Sequence, residues 1–203
     1  MGNLVTLAQA LGVAYASGIS VYATVALLGI AQRMEWISPL PGSLSGVGSV
    51  WVIAIAGTLY AFEMMATLVP GVASVWETFH TLIRPPAAAA LAVLTAWQGD
   101  PLFTMLAGLL GGTLAVGTHA TKLGLRYAID TSPEPVTNGL ANAAELGVVA
   151  TVAFFVWNHP FITLTLALAL LVALAVMVRA IWRGIRRAFS RPFAARAQRV
   201  GGG

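Results

Sequence analysis

Glu77, His80 and Arg84 stand at positions i, i+3 and i+7, and His119, Lys122 and Arg126 repeat that spacing. On a helix each triplet forms one stripe about 60° wide. Asn138, Asn142 and Glu145, at i, i+4 and i+7, form a third polar stripe. With Glu63, these residues bring together three carboxylates (Glu63, Glu77, Glu145), three cations (Arg84, Lys122, Arg126) and two imidazoles that can titrate. Such a set can grip an anion, carry protons for coupling, or pair internally. It lies in strongly apolar sequence, where each unpaired charge costs several kcal/mol. Buried ion pairs rarely add net stability over apolar packing. A set of eight such groups therefore points to a permeation or substrate site more than to a structural clamp, which stays the alternative. Arg126 taken alone also reads as a snorkelling anchor.

The surroundings of these residues define the class of protein. The chain has 203 residues, 58% of them hydrophobic, with eleven Lys and Arg and seven Asp and Glu. Its mean hydropathy is +0.84. A soluble domain needs roughly a quarter of its residues charged, so water is not the main solvent here. Apolar runs of about 20 residues predict transmembrane helices. The alternation of barrel strands is absent. Cysteine is absent too, which excludes disulfides, thiolate metal sites and Cys nucleophiles. The start, MGNLVTLAQALGV, lacks a basic n-region and reads as the beginning of the first span.

The predicted fold is all-α, a polytopic bundle of about six transmembrane helices. The spans fall at about 3–33, 50–69, 73–97, 102–128, 135–157 and 160–182. Together they make a transmembrane domain over 1–182, followed by a basic tail over 183–203 that continues the last helix. Seven of the eleven basic residues lie after residue 178: Arg179, Arg183, Arg186, Arg187, Arg191, Arg196 and Arg199. Directly after a span, such a run reads as a cytoplasmic anchor on anionic lipid headgroups, not as a nucleic-acid site. An even number of spans then puts both termini in the cytoplasm, with loops 34–49, 98–101 and 158–160 outside. Trp36, Trp51, Trp97, Trp157 and Trp182 fall near span ends, as in an aromatic belt. The terminal Gly201-Gly202-Gly203 is compatible with a cloning remnant.

Prolines and glycines mark special places within these spans. Pro70-Gly71 stops the second, and Pro85-Pro86 is expected to break the third just after Arg84, freeing carbonyls. Thr131 or Ser132 can cap a helix beginning at Pro133, with Glu134 in its first turn. Tyr15 and Tyr22 lie on one face of the first span. AQALGVAYASG (8–18) aligns without gaps on AGLLGGTLAVG (107–117), and LYAFE (59–63) resembles ANAAE (141–145), matching Glu63 with Glu145. An offset of three spans would make 3–97 and 102–182 inverted repeats, as in transporters and channels. Ser17-Gly18 and Gly117-Thr118 then occupy equivalent places, either close helix crossings or breaks that present backbone to a ligand.

No H-E-x-x-H, G-x-S-x-G or P-loop pattern occurs. The three histidines lie on different segments, and no metal or other cofactor is expected. The chain is therefore not read as an enzyme. His159-Pro160 reads as surface.

ASGISVYATVALLG (16–29), PGVASVWETFHTLIRPPAAA (70–89) and GTHATKLGLRYAIDTSPEPVTN (117–138) resemble the bacterial membrane-protein family labelled domain of unknown function 4126. Their order and spacing span most of the chain, and the run from Gly117 to Asn138 is the most specific. The resemblance implies an integral membrane protein and names no activity. It marks Ser17, Gly18, Tyr22, His80, Arg84, Pro85, His119, Lys122, Arg126, Ser132, Pro133, Glu134, Pro135, Asn138 and Glu145. This sequence departs from the family pattern at Ala66-Thr67, where an Asp-Lys pair is expected, and at Leu146, where an Asp is expected.

The reading that follows is a channel or secondary transporter in a bacterial inner membrane for a small polar or anionic solute. Its pathway is formed by Ser17, Gly18, Tyr22, Glu63, Glu77, His80, Arg84, His119, Lys122, Arg126, Asn138, Asn142 and Glu145. The alternatives are a lipid-phosphate flippase or headgroup binder, and a noncatalytic membrane scaffold working through the arginine tail. So short a bundle leaves little room for a private cavity, which makes a homo-oligomer an open option.

Overall fold

Alanine and glycine set how closely the helices approach one another. In the computed structural model, residues 2–41, 43–69, 71–131 and 135–200 are described, with side chains up to Arg186 and not that of Pro135. The helices are α1 (Gly2–Ile19), α2 (Val21–Arg33), α3 (Val50–Leu68), α4 (Val72–His80), α5 (Arg84–Ala96), α6 (Pro101–Asp130), α7 (Pro135–Asn158) and α8 (Pro160–Val200). A short 3-10 turn, Ser45–Gly48, precedes α3. No strand occurs among the described residues.

Helix α1 lies at the centre. Its residues from Ala10 to Ile19 are almost all buried, against α5, α6, α7 and α2. The seam it shares with α5 and α6 is built from Ala10, Ala14, Ala88, Ala92, Ala96, Ala107 and Ala115. Between helices already solvated by lipid, such small residues gain van der Waals contact by letting backbones come close. Gly111 shows the tolerance: a Cβ there would lie 2.7 Å from the Ala92 Cβ and 3.0 Å from that of Ala14. A second core of Val13, Leu28, Leu91 and Val156 takes in Leu40 and Leu44 from the long loop before α3.

The outward faces are apolar. Trp51, Ile55 and Met65 on α3, Leu109 and Leu125 on α6, and Val136 and Leu140 on α7 are exposed. Among the described residues, four helices are long and apolar enough to cross a bilayer: α3, α6, α7 from Val136, and α8 as far as Arg186. The chain is thus an all-α membrane protein. Its first 167 residues form one compact unit, and residues 168–203 form a second. The second holds the C-terminal length of α8, where Arg179, Arg183 and Arg186 are exposed. Arg187, Arg191, Arg196 and Arg199 fall where side chains are not described, and Gly201-Gly202-Gly203 lies outside the described residues.

Two of the expected spans are not single helices. The run 3–33 is divided at Ser20, whose backbone is extended (φ −152°, ψ 111°). The run 73–97 is divided at residues 81–83, where the Thr81, Leu82 and Ile83 N–H groups bond three residues back to Thr78, Phe79 and His80. The break therefore comes before Arg84, not after it. Pro85 and Pro86 occupy the first turn of α5, where a missing N–H loses no helical bond. Tyr15 and Tyr22 accordingly lie on different helices. Helix α6 runs unbroken through Gly117-Thr118, whereas α1, whose sequence aligns on it, stops just after Ser17-Gly18. Under the gap-free alignment of 8–18 on 107–117, which pairs Gly18 with Gly117, Ser20 falls opposite His119. A serine can cap the following helix with its hydroxyl, and an imidazole at that place does not. Thr131 follows α6 and its hydroxyl donates to the Ala128 carbonyl at 2.6 Å. Ser132, Pro133 and Glu134 lie outside the described residues.

Candidate functional site

The break at Ser20 is the first part of the site. The Ser20 hydroxyl accepts from the Ala23 N–H at 3.2 Å, the donor that a continuous helix would give to Ile19. The Ile19 carbonyl is thereby free, and Lys122 Nζ donates to it at 2.8 Å. The same Ser20 hydroxyl donates to Glu63 Oε2 at 2.7 Å. One capping serine thus ties the backbone break to a buried carboxylate.

Lys122 is the hub. Its ammonium lies 2.9 Å from Glu77 Oε1, 3.0 Å from Glu63 Oε1 and 3.0 Å from Glu145 Oε2. With the Ile19 carbonyl, four acceptors meet three N–H donors, so one donor is shared. Arg84, the first residue of α5, donates to Glu63 Oε1 at 2.5 Å and pairs through both terminal nitrogens with Glu77. The second helix break makes this possible: it lets Arg84 turn back onto Glu77, one α4 turn before the end of that helix.

His119 completes this level. Its Nδ1 is 3.2 Å from Arg84 Nη1, which can only donate, so Nδ1 accepts. Nε2 then carries the proton and donates to Thr81 Oγ1 at 2.9 Å. Thr81 lies in the turn between α4 and α5 and donates to the Glu77 carbonyl at 3.3 Å.

Glu145 joins this level to a second one. While Oε2 faces Lys122, Oε1 is 2.8 Å from Arg126 Nη2. Arg126 also pairs with the Asn142 side-chain oxygen and reaches the Asn138 oxygen at 3.4 Å. Asn142 is held in turn by Thr67, which donates at 2.9 Å, and by its own donation to the Met64 carbonyl at 3.2 Å.

Three carboxylates and three cations thus form one charge-balanced network fed by all of α1 to α7. Its charged members are buried except Glu145, whose side chain is 23% exposed. At these separations the attraction is large, but so is the cost of desolvating six ions, and neutrality is what makes the arrangement tolerable. Among the described residues no group of three His, Cys, Asp or Glu side chains converges as a metal site.

The remaining site residues of the sequence reading sit elsewhere. His80 is outside the ionic network. Its Nδ1 donates to the Trp76 carbonyl at 2.8 Å, and its Nε2 accepts from the Tyr22 hydroxyl at 3.3 Å. The ring stacks on Trp76 at 4.5 Å between centroids. Gly18 is a close crossing: a Cβ there would strike the Thr118 hydroxyl and come within 2.8 Å of the Ala115 carbonyl. The Ser17 hydroxyl is buried without a partner. Ser20, Thr81 and the Ile19 carbonyl, all at the helix breaks, also take part, as does Thr67, which the sequence marks only as a departure from the family pattern. Hydroxyls are common in apolar helices, where they bond to their own backbone, so the sequence does not set these apart.

Neither a curated protein nor a solved structure matches the chain. The profile of the family described as Domain of unknown function (DUF4126) matches residues 7–180, and with that match over most of its length the chain belongs to this family.

Proposed function

We propose that the protein is a secondary transporter or channel for a small polar or anionic solute. It works in a bacterial inner membrane, with both termini cytoplasmic and the arginine tail on anionic headgroups. The observation that carries this reading is the meeting of two helix breaks, at Ser20 and at residues 81–83, on one neutral buried ion network. Broken helices around midmembrane charges are the usual construction of transporter sites. A purely structural bundle gains little from six ions.

Charge balance suggests the form of coupling. A monovalent anion that displaces a carboxylate from Lys122 or Arg84 adds one negative charge to the interior. Protonation of one freed carboxyl restores neutrality. The transported unit is then one anion with one proton, and the cycle is electroneutral.

The test uses liposomes containing the purified protein and a trapped pH-sensitive dye. Inward gradients of acetate-sized carboxylates, phosphate and halides are applied at constant external pH, with empty liposomes subtracting passive permeation. The reading predicts internal acidification driven by at least one anion, and its loss in Lys122→Met/Glu77→Gln, a pair that removes the amine while keeping the charge balanced. A folded double variant with unchanged flux removes Lys122 from the pathway. No anion-driven acidification overturns the coupled reading.

Partial exposure of Glu145 favours a second reading, a lipid-phosphate flippase, because the network reaches the surface of the bundle there. Under that reading a fluorescent phospholipid crosses protein-containing bilayers faster than protein-free ones.

A further inference from the structure

Among the described residues, two buried donors at the second level of the network have no partner: Arg126 Nε and Asn138 Nδ2. Both residues are fully buried, at 0% exposure. The other unpartnered buried groups, on Ser17, Gln32, Trp76, Asp130 and Trp157, are single atoms; Asp130 lies one turn beyond Arg126 on α6, and its unpartnered atom is an acceptor. The residues that carry them are neighbours, since Arg126 Nη1 donates to the Asn138 oxygen at 3.4 Å. Turning the Asn138 amide over would not help, because its NH2 would then face a guanidinium that has only donors. A buried unpaired amide or guanidinium N–H costs free energy that natural interiors seldom leave uncompensated. Asn138 also lies in the first turn of α7, the positive end of that helix.

We infer that Arg126 and Asn138 form an oxyanion-binding subsite, each giving one N–H to one oxygen of a carboxylate or phosphate group. The inference rests on the transport reading for its role, as the first binding step of the solute. It goes beyond that reading in naming the ligand chemistry and the donors. Arg126 links the subsite to the core of the network through Glu145, which also touches Lys122. An anion seated on Arg126 competes with Glu145 for the guanidinium and loosens the hold of Glu145 on Lys122. The same phosphate chemistry is found on a free solute and on a lipid headgroup.

The experiment measures thermal unfolding of the full-length protein in nonionic detergent. Sodium phosphate, sodium acetate and sodium chloride are compared at equal ionic strength, and dihexanoyl phosphatidic acid is compared with dihexanoyl phosphatidylcholine. Phosphate or acetate should raise the midpoint in a saturable way, and Asn138→Leu should weaken the apparent affinity about tenfold, the loss of one hydrogen bond to a charged group. Asn138→Asp keeps the oxygen used by Arg126 and replaces the donor with a negative oxygen that faces the anion, so it should abolish the shift. It serves if Asn138→Leu does not fold. A shift with phosphatidic acid alone keeps the subsite and assigns it to headgroups. No shift with any oxyanion, a shift with chloride alone, or an undiminished shift in both variants overturns it. Anion binding without anion flux would leave the subsite and remove transport. Flux unchanged in Asn138→Asp would do the reverse.

Discussion

Removing the Lys122 ammonium leaves Glu63, Glu77 and Glu145 facing only Arg84 and Arg126, a net charge of −1 in the interior. In Lys122→Met one carboxyl then takes up a proton. With an ordinary glutamate pKa of about 4.3 and 1.36 kcal/mol per unit, that uptake costs about 3.7 kcal/mol at pH 7. The figure agrees with the roughly 3–5 kcal/mol lost when one partner of a buried pair is deleted. Its pH dependence is the specific part. The folded variant holds one more proton than its unfolded chain, so its stability falls as pH rises, by about 1.4 kcal/mol per unit above the glutamate range. The deficit against wild type should be about 3.7 kcal/mol at pH 7 and about 2.3 kcal/mol at pH 6.

Adding Glu77→Gln should recover about 2–3 kcal/mol of this at pH 7 and remove the pH slope. It leaves two one-to-one pairs, Arg84–Glu63 at 2.5 Å and Arg126–Glu145 at 2.8 Å. The remaining deficit of about 1 kcal/mol reflects the lost bond to the Ile19 carbonyl. Tryptophan fluorescence during unfolding in mixed detergent micelles, from pH 6 to 8, reads all three proteins. A deficit that does not change with pH, or a double variant no more stable than Lys122→Met, would refute the idea that neutrality governs this network.

Other outcomes follow from the same geometry. Ser20→Ala removes the cap of α2 and a bond to Glu63, and should cost about 1–2 kcal/mol in the same unfolding assay. Gly18→Val forces side-chain atoms against the Ala115 backbone; a loss of about 1–3 kcal/mol is expected, and Thr118→Ala should not rescue it, because the clash is with main chain. Since the chain has no cysteine, single cysteines at Thr131 and Asn158 report orientation: a membrane-impermeant maleimide on intact cells should label Asn158→Cys and spare Thr131→Cys. The opposite pattern would overturn the placement of both termini in the cytoplasm.

Membrane character is legible in one dimension because transfer into lipid is nearly additive along a helix. The apolar runs at 50–69, 102–128 and 135–157 therefore correspond closely to α3, α6 and α7. The polar residues Glu63, Glu77, Arg84, His119, Lys122, Arg126 and Glu145 are visible for the same reason, since a charge inside an apolar run stands out whatever it pairs with. The family, too, is carried by sequence alone. What sequence did not reveal is partnership. The break at Ser20 is stable because the carbonyl it frees finds Lys122, which lies 103 residues later. Nothing local to GISVY announces that donor. His80 shares a stripe with Glu77 and Arg84 in the sequence, but its ring turns to Trp76 and Tyr22 and not to the ions. The burial of α1, visible in the sequence only as part of one long apolar run, likewise depends on α5, α6 and α7 surrounding it. Composition selects the solvent and the charges. Only the packed helices decide which carbonyls are freed, which ions meet and which donors are left without partners, because each of these is a relation between residues distant in the chain.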